Sequence, residues 1–364
     1  MFGFQGVGAA IYSGALPNTT GVFTEFILQR NKSVIEPRHL RSFLRITDVI
    51  PNERLCFDIR YVLFKIFRKE RLGISNVIPS YLLGRFHPKL TKEFTEENCL
   101  KHIPTIFDIL RTNGMSYELQ KPVTRSENTA FSILINRIKK NKVPDLTVFH
   151  PCSLDLIGHK FGPNSSHVKR ALQRIDQQMY KIIRSARSCS EKLITIIVSD
   201  HGMSPVNHNV NLLETLDQLP LSLEKDYLVF LDSTMARLWF FSEIARKVIS
   251  ETLSTLEYGQ ILRKHDLQKL GIDKIGREYG DLIFALKEGY TIFPDFFRKY
   301  RPPKGMHGYV FPIHDAPIIT IFDPSLSADF KREGVVRHID IMPTILELLH
   351  LRVPETCEGV SLLW

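Results

Sequence analysis

The sequence predicts an α/β protein in three layers, with helices on both faces of a mostly parallel central sheet and a helical insert over residues 31–102. Three observations carry this. Beyond Ile103, short β-rich apolar runs alternate with helix-length segments of 3.6-residue periodicity. The balance of 43% apolar and 24% charged residues is that of a folded chain and too apolar for a disordered one. The 364 residues suffice for one large domain, and no run approaches the ~20 uncharged apolar residues of a membrane span.

Taken in order, Gly8–Ser13 is a short apolar run closed by Gly14 and the turn-rich Pro17-Asn18-Thr19-Thr20-Gly21. From Asn31 to Lys101 the apolar spacing turns helical and basic residues crowd in, among them Lys65, Arg68, Lys69 and Arg71. Arg54–Lys69 is the clearest amphipathic piece, and its basic side reads as a solvated face. Ile106–Leu110 predicts a helix ending near Gly114, then a strand at Ser116–Leu119 and another at Leu146–Phe149. In Asn164–Cys189, Val168, Leu172, Ile175, Met179, Ile182 and Ile183 share one face, and Asn164, Ser165 or Ser166 can cap the helix. Leu193–Val198 is a continuous β-branched strand, followed by strands at Tyr227–Leu231 and Arg237–Phe241. Ser242 caps a helix running to about Leu256; strands at Asp281–Leu286 and Pro317–Phe322 and a helix over Asp340–Leu349 complete the chain.

Lysine and arginine exceed the acids 48 to 39, a formal charge of +9 that favours anionic partners without choosing among them. No nucleic-acid recognition motif accompanies the basic residues, so no specific nucleic-acid partner is predicted. The five cysteines are scattered without metal or disulfide spacing. Glycines and a proline interrupt the apolar N-terminus and no basic residue precedes Arg30, so it does not read as a signal peptide. Isolated thiols then fit a reducing, cytoplasmic setting.

Candidate metal ligands gather where strands end, the place where open α/β sheets bind ligands. Strand 146–149 runs into a loop bearing Asp155 and, four residues on, His159. Strand 193–198 ends in Ser199-Asp200-His201-Gly202-Met203, and His307 sits between glycines in Gly305-Met306-His307-Gly308. Carboxylate and imidazole delivered together suit a hard-to-borderline divalent ion. Taken singly each has a plainer reading: an i, i+4 ion pair for Asp155/His159, a turn-capping Asp200, a solvated His307. Their ordered combination is far more specific.

That combination resembles the alkaline phosphatase superfamily, and within it the type I phosphodiesterase/nucleotide pyrophosphatase family. Ser13–Gly21 is similar to a Thr-Gly-x-x-Pro-x-x-His-Gly segment of that family, and Asp155–Pro163 and Asp200–Met203 match its central metal motifs. Leu231–Arg237, Gly280–Ile283 and Val336–Thr344 resemble later segments, so the likeness covers about residues 1–30 and 103–364. It implies an alkaline phosphatase-like fold, a phosphorylated small-molecule substrate such as a nucleotide ester, and two divalent ions, with zinc expected. By motif, Asp155, His159 and His307 would hold one ion, and Asp200 with His201 the other. Such ions clamp the attacking and leaving oxygens of a displacement at phosphorus.

The resemblance also implies an Asp-bearing strand before Met1 and a Thr or Ser nucleophile near Phe4-Gln5, where neither residue qualifies. The apolar, glycine-rich start favours a chain beginning inside a longer protein, and hydrolysis by the chain alone is expected to be slow. Three functions stand open on the sequence: a phosphoric ester hydrolase, a silent metal-binding relative that recognises a phosphorylated ligand, and a basic nucleic-acid-binding protein, the last without a supporting motif.

Overall fold

The computed structural model describes residues 3–29, 44–50, 52–66, 78–80, 82, 85–122, 127–189, 193–310, 319–322 and 335–363. The chain opens with helix α1, Gly3–Ser13, whose Ala9 and Tyr12 pack on Phe94, Phe107 and Met342. Strand β1, Phe26–Leu28, enters the insert and β2, Phe86–Pro88, leaves it; the two pair antiparallel, so the insert departs and returns at one point. Between them helix α2, Glu53–Ile66, matches most of the predicted amphipathic piece, while Arg68, Lys69 and Arg71 lie outside the described residues. This helix offers more than a solvated face. Arg60 is buried, with its guanidinium on Asp48 at 2.8 Å, on the Thr47 hydroxyl and on the Ile78 carbonyl.

Helix α3, Ile106–Thr112, begins at a capping box in which Thr105 and Asp108 satisfy each other's backbone N–H groups. Strand β3, Tyr117–Gln120, connects through helix α4, Glu127–Lys139, to β4, Leu146–Phe149, and the helical crossover makes that pair parallel. Helices α5, Ser153–Phe161, and α6, Ser166–Arg187, follow, with Ser165 as the side-chain cap of α6. Val168, Ala171, Ile182 and Ala186 form the buried face of α6, whereas Leu172, predicted inward, is exposed.

Strand β5, Thr195–Val198, leads into β6, Ser204–Pro205, and β7, His208–Val210. Strands β8, Tyr227–Leu231, and β9, Met235–Phe240, are buried along their whole length, which explains why they are apolar throughout except at Arg237. Helix α7, Glu243–Ser254, capped by Ser242, lays Ala245, Ile249 and Leu253 on this core. From the insert, Phe86 meets Phe230 and Trp239 at ring-centroid distances of 4.9 and 5.1 Å. Each such fully buried side chain contributes about 1.5–3 kcal/mol of transfer free energy. Strands β10, Gly259–Ile261, β11, Leu282–Leu286, β12, Tyr290–Ile292, β13, Gly305–Met306, and β14, Ile319–Phe322, precede the last helix, α8, Ile341–Leu348.

The expected single, mostly parallel sheet is not what the described residues form. They form small sheets, the largest in the order β10-β11-β9-β8 and wholly antiparallel. The reason lies in the connections. Only Asp232, Ser233 and Thr234 separate β8 from β9, and a parallel return needs a crossover of a dozen or more residues. Strands 193–198 and 317–322 are neighbours as expected, yet β14 runs antiparallel to β5; residues 317 and 318 lie outside the described residues.

Candidate metal centre

The site is built at the point where α5, the β5–β6 loop and β13 meet. Buried Glu127, the first residue of α4, accepts the Ser153 backbone N–H at 3.1 Å and also binds its hydroxyl. A carboxylate at that end of α5 satisfies an orphan donor and complements the helix dipole, fixing the turn that carries Asp155. Strand β6 pairs with β13, Ser204 opposite Met306 and Pro205 opposite Gly305, so the segment after Asp200-His201 is tied to the one before His307. Two glycines let α5 and β13 touch. A Cβ on Gly305 would lie 2.6 Å from the Gly158 carbonyl oxygen, and one on Gly158 2.9 Å from Met203 Cε.

All five predicted ligands converge. Asp155 Oδ1 lies 3.2 Å from His159 Nε2, 3.4 Å from His307 Nε2 and 4.0 Å from His201 Nε2. Asp200 Oδ2 lies 3.6 Å from His201 Nε2. The His201 and His307 rings stack at 3.5 Å and 7°. Asp155, His159 and His307 have ligand atoms all within 4.8 Å of one another, close enough to share one ion. Asp155 Oδ1 is buried without a hydrogen-bond partner, an arrangement that a cation would satisfy.

The imidazoles are oriented for ligation. His159 Nδ1 donates to the Gly305 carbonyl at 2.8 Å, and His201 Nδ1 donates to the Gly202 carbonyl at 2.8 Å. With Nδ1 protonated, each Nε2 carries the lone pair a metal needs. Electrostatics agree. Burial alone would raise the Asp155 carboxyl, but His159 and His307 outweigh it and hold the group well below the usual carboxylate range. Burial likewise opposes ionisation of Asp200, yet His150 and His201 bring it down to about 2. Burial lowers the His307 imidazole, with Asp155 opposing, so it favours the neutral, ligating form.

Two things differ from the sequence reading. His150, the residue immediately after β4, was not singled out as a ligand, but its Nε2 lies 3.5 Å from Asp200 Oδ2; its strand-end position was the available signal. Gln5, near the expected nucleophile, is committed elsewhere: its side chain donates to the Leu90 carbonyl at 3.1 Å and accepts the Leu90 N–H at 3.0 Å. Nor does Cys152 replace it. Burial, then the carboxylates of Asp155, Glu127 and Asp200, push its thiol up and away from the nucleophilic thiolate.

The family model described as type I phosphodiesterase/nucleotide pyrophosphatase matches residues 9–310, and the chain belongs to that family, within the alkaline phosphatase superfamily. It is 25% identical over 116 residues to GPI ethanolamine phosphate transferase 2 of Yarrowia lipolytica, 32% of this chain and 13% of that protein. It is 31% identical over 68 residues to an uncharacterised pyrophosphatase/phosphodiesterase of Schizosaccharomyces pombe, 18% of this chain and 14% of that one. The chain thus aligns with only a small part of the length of either curated relative. Among solved structures, human ectonucleotide pyrophosphatase/phosphodiesterase 5 superposes with a TM-score of 0.65 at 14% identity, covering 96% of this chain and 84% of that one. An inactive form of the murine protein in complex with AMP gives 0.61 at 13% identity, covering 95% and 83%. These likenesses show an alkaline phosphatase-like α/β fold.

Proposed function

We propose that this protein is a metal-dependent hydrolase of phosphoric esters, acting on phosphodiester or pyrophosphate bonds of a nucleotide or similar small molecule. The observation that carries this reading is the pair of carboxylate–imidazole sets meeting at His201, whose Nε2 is 4.0 Å from Asp155 Oδ1 and 3.6 Å from Asp200 Oδ2. Asp155, His159 and His307 would hold one ion, Asp200 and His201 a second. Zinc suits donors that are imidazole nitrogens and carboxylate oxygens. Bound there, divalent ions supply Lewis acidity toward phosphoryl oxygens.

The chain's own residues do the positioning. The Gly305 and Gly202 carbonyls fix the tautomers of His159 and His201, and the two aspartates are ionised at neutral pH. The net charge of +9 favours an anionic substrate. That the murine neighbour was solved with AMP supports a nucleotide as the ligand to try first. A second reading, a metal-binding but catalytically silent relative, is favoured by one observation: Gln5 is engaged with Leu90 and is no nucleophile.

Zinc loading followed by assay on a chromogenic phosphodiester separates the readings. Bound zinc that is lost in His159→Ala, with turnover, supports the hydrolase. Bound zinc without turnover on diesters or on nucleotide pyrophosphates supports the silent relative. Failure to retain zinc removes both.

A further inference from the structure

We infer that Lys121 is a specificity-determining residue, pairing with the second phosphoryl group of a pyrophosphate substrate whose first phosphoryl group lies at the metal centre. The inference rests on the metal-dependent reading above and narrows its substrate class.

Position is the first argument. Strands β3 and β4 are parallel neighbours with Gln120 opposite Phe149, and the His150 N–H donates to the Gln120 carbonyl at 2.8 Å. Lys121 therefore leaves the carboxyl end of β3 beside His150, about one strand spacing of ~4.8 Å away. From His150 a row of side chains leads to the first ligand set. His150 Nε2 is 3.5 Å from Asp200 Oδ2, Asp200 Oδ2 is 3.6 Å from His201 Nε2, and His201 Nε2 is 4.0 Å from Asp155 Oδ1. Strand ends are where open α/β sheets bind ligands, so a ligand laid along this row from Asp155 approaches Lys121. The charge of Lys121 is felt within the centre: burial raises the Cys152 thiol, Asp155, Glu127 and Asp200 add to the rise, and Lys121 opposes it.

Charge is the second argument. Both phosphoryl groups of a pyrophosphate substrate are anionic, and an ion at Asp155, His159 and His307 offsets the first of them. The second, lying toward His150, meets a lysine, whose compact ammonium carries three donors on a flexible stem. Lys121 Nζ stands 3.3 Å from Glu93 Oε2, with the two side chains 28% and 58% exposed. An ion pair so open to water contributes little, so a phosphoryl oxygen can take the place of Glu93. Glu93 thus competes with the ligand for the same ammonium, and removing it should favour the ligand.

The experiment titrates the zinc-loaded full chain with AMP and with the hydrolysis-resistant α,β-methylene analogue of ADP, by calorimetry. The wild type should bind the two-phosphoryl analogue about tenfold more tightly than AMP. Lys121→Met should lose that preference while zinc content and AMP affinity stay as in the wild type. Lys121→Arg should keep it, and Glu93→Gln should enlarge it. Three results would overturn the inference: a preference retained in Lys121→Met, a loss in Lys121→Met shared equally by AMP and the analogue, or a preference lost in Glu93→Gln as in Lys121→Met, which marks the pair as merely structural. A wild type that binds both nucleotides equally overturns it too, while leaving the hydrolase reading intact. A zinc-loaded wild type that binds neither defeats that reading itself, and the inference with it.

Discussion

Replacing Gly305 by alanine tests whether the contact between α5 and β13 sets the geometry of the first ligand set. The new methyl would sit 2.6 Å from the Gly158 carbonyl oxygen and 3.1 Å from Met203 Cγ and Sδ. Met203 can rotate away, but the Gly158 oxygen is helix backbone. To regain ordinary van der Waals contact the two segments must part by about 0.8 Å. His159 and β13 are coupled on both sides of this contact, since Gly305 accepts from His159 Nδ1 and the Lys304 N–H donates to the His159 carbonyl, both at 2.8 Å. His307 lies two residues further on. The displacement therefore falls on the distances from Asp155 Oδ1 to His159 Nε2 and His307 Nε2, now 3.2 and 3.4 Å. We expect zinc affinity at this set to fall about 10–100-fold, and stability to fall by about 1–3 kcal/mol. Chelator competition and thermal melting measure the two effects separately. Ile249→Val, on the buried face of α7, serves as a control: it should cost about 0.5–1.5 kcal/mol and leave zinc binding unchanged. Wild-type zinc affinity in Gly305→Ala would refute the argument that this contact positions the ligands.

Three further substitutions have defined outcomes. The Thr234 hydroxyl donates to the Gly308 carbonyl at 2.7 Å, beside His307, so Thr234→Val should weaken zinc about tenfold while Thr234→Ser keeps wild-type affinity in the same titration. Buried Arg237 holds Asp232 at 2.7 Å and the Phe26 carbonyl at 2.7 Å. Arg237→Leu should cost about 3–5 kcal/mol in urea unfolding, because Asp232 stays buried without its partner; Asp232→Asn in the same chain should recover part of it. Asp108, although burial opposes its charge, is held below the ordinary carboxylate value by hydrogen bonds from Thr105, Asn98 and Arg111. Its contribution is therefore complete above the unfolded value of about 4 and is lost as pH falls through the folded one. Asp108→Asn should cost about 0.5–2 kcal/mol at neutral pH, and the gap from wild type should close in acid; a gap independent of pH would show that the charge is irrelevant.

How far the sequence alone reached differs from element to element. Helices α3, α6 and α7 and strands β3, β4, β5, β8 and β9 were legible because period and capping residues are properties of one segment. Helix α4 carries the same kind of signal: Phe131, Leu134, Ile135 and Ile138 repeat at helical spacing and all are buried. The antiparallel β8–β9 pair was also written in its three-residue link, although the wider α/β alternation pointed to parallel strands. The five candidate ligands are recognisable because carboxylates and imidazoles follow predicted strands in a fixed order.

What tertiary structure decided is which of these local pieces meet, and from which direction. Nothing in the sequence near β14 says that it runs against β5, since strand direction depends on how the connecting segments close. Nothing near Gly158 or Gly305, 147 positions apart, announces that their backbones touch; that follows from β6 pairing with β13 and carrying Met203 against α5. His150 shows the same limit at the site. Its place directly after a strand marks it only as one polar residue among several, and the approach of the β4 and β5 ends is what puts its Nε2 3.5 Å from Asp200. Segment-level patterns follow from the chemistry of neighbouring residues along the chain, whereas the metal centre depends on distances of a few ångströms between residues far apart in sequence, which only the packed fold determines.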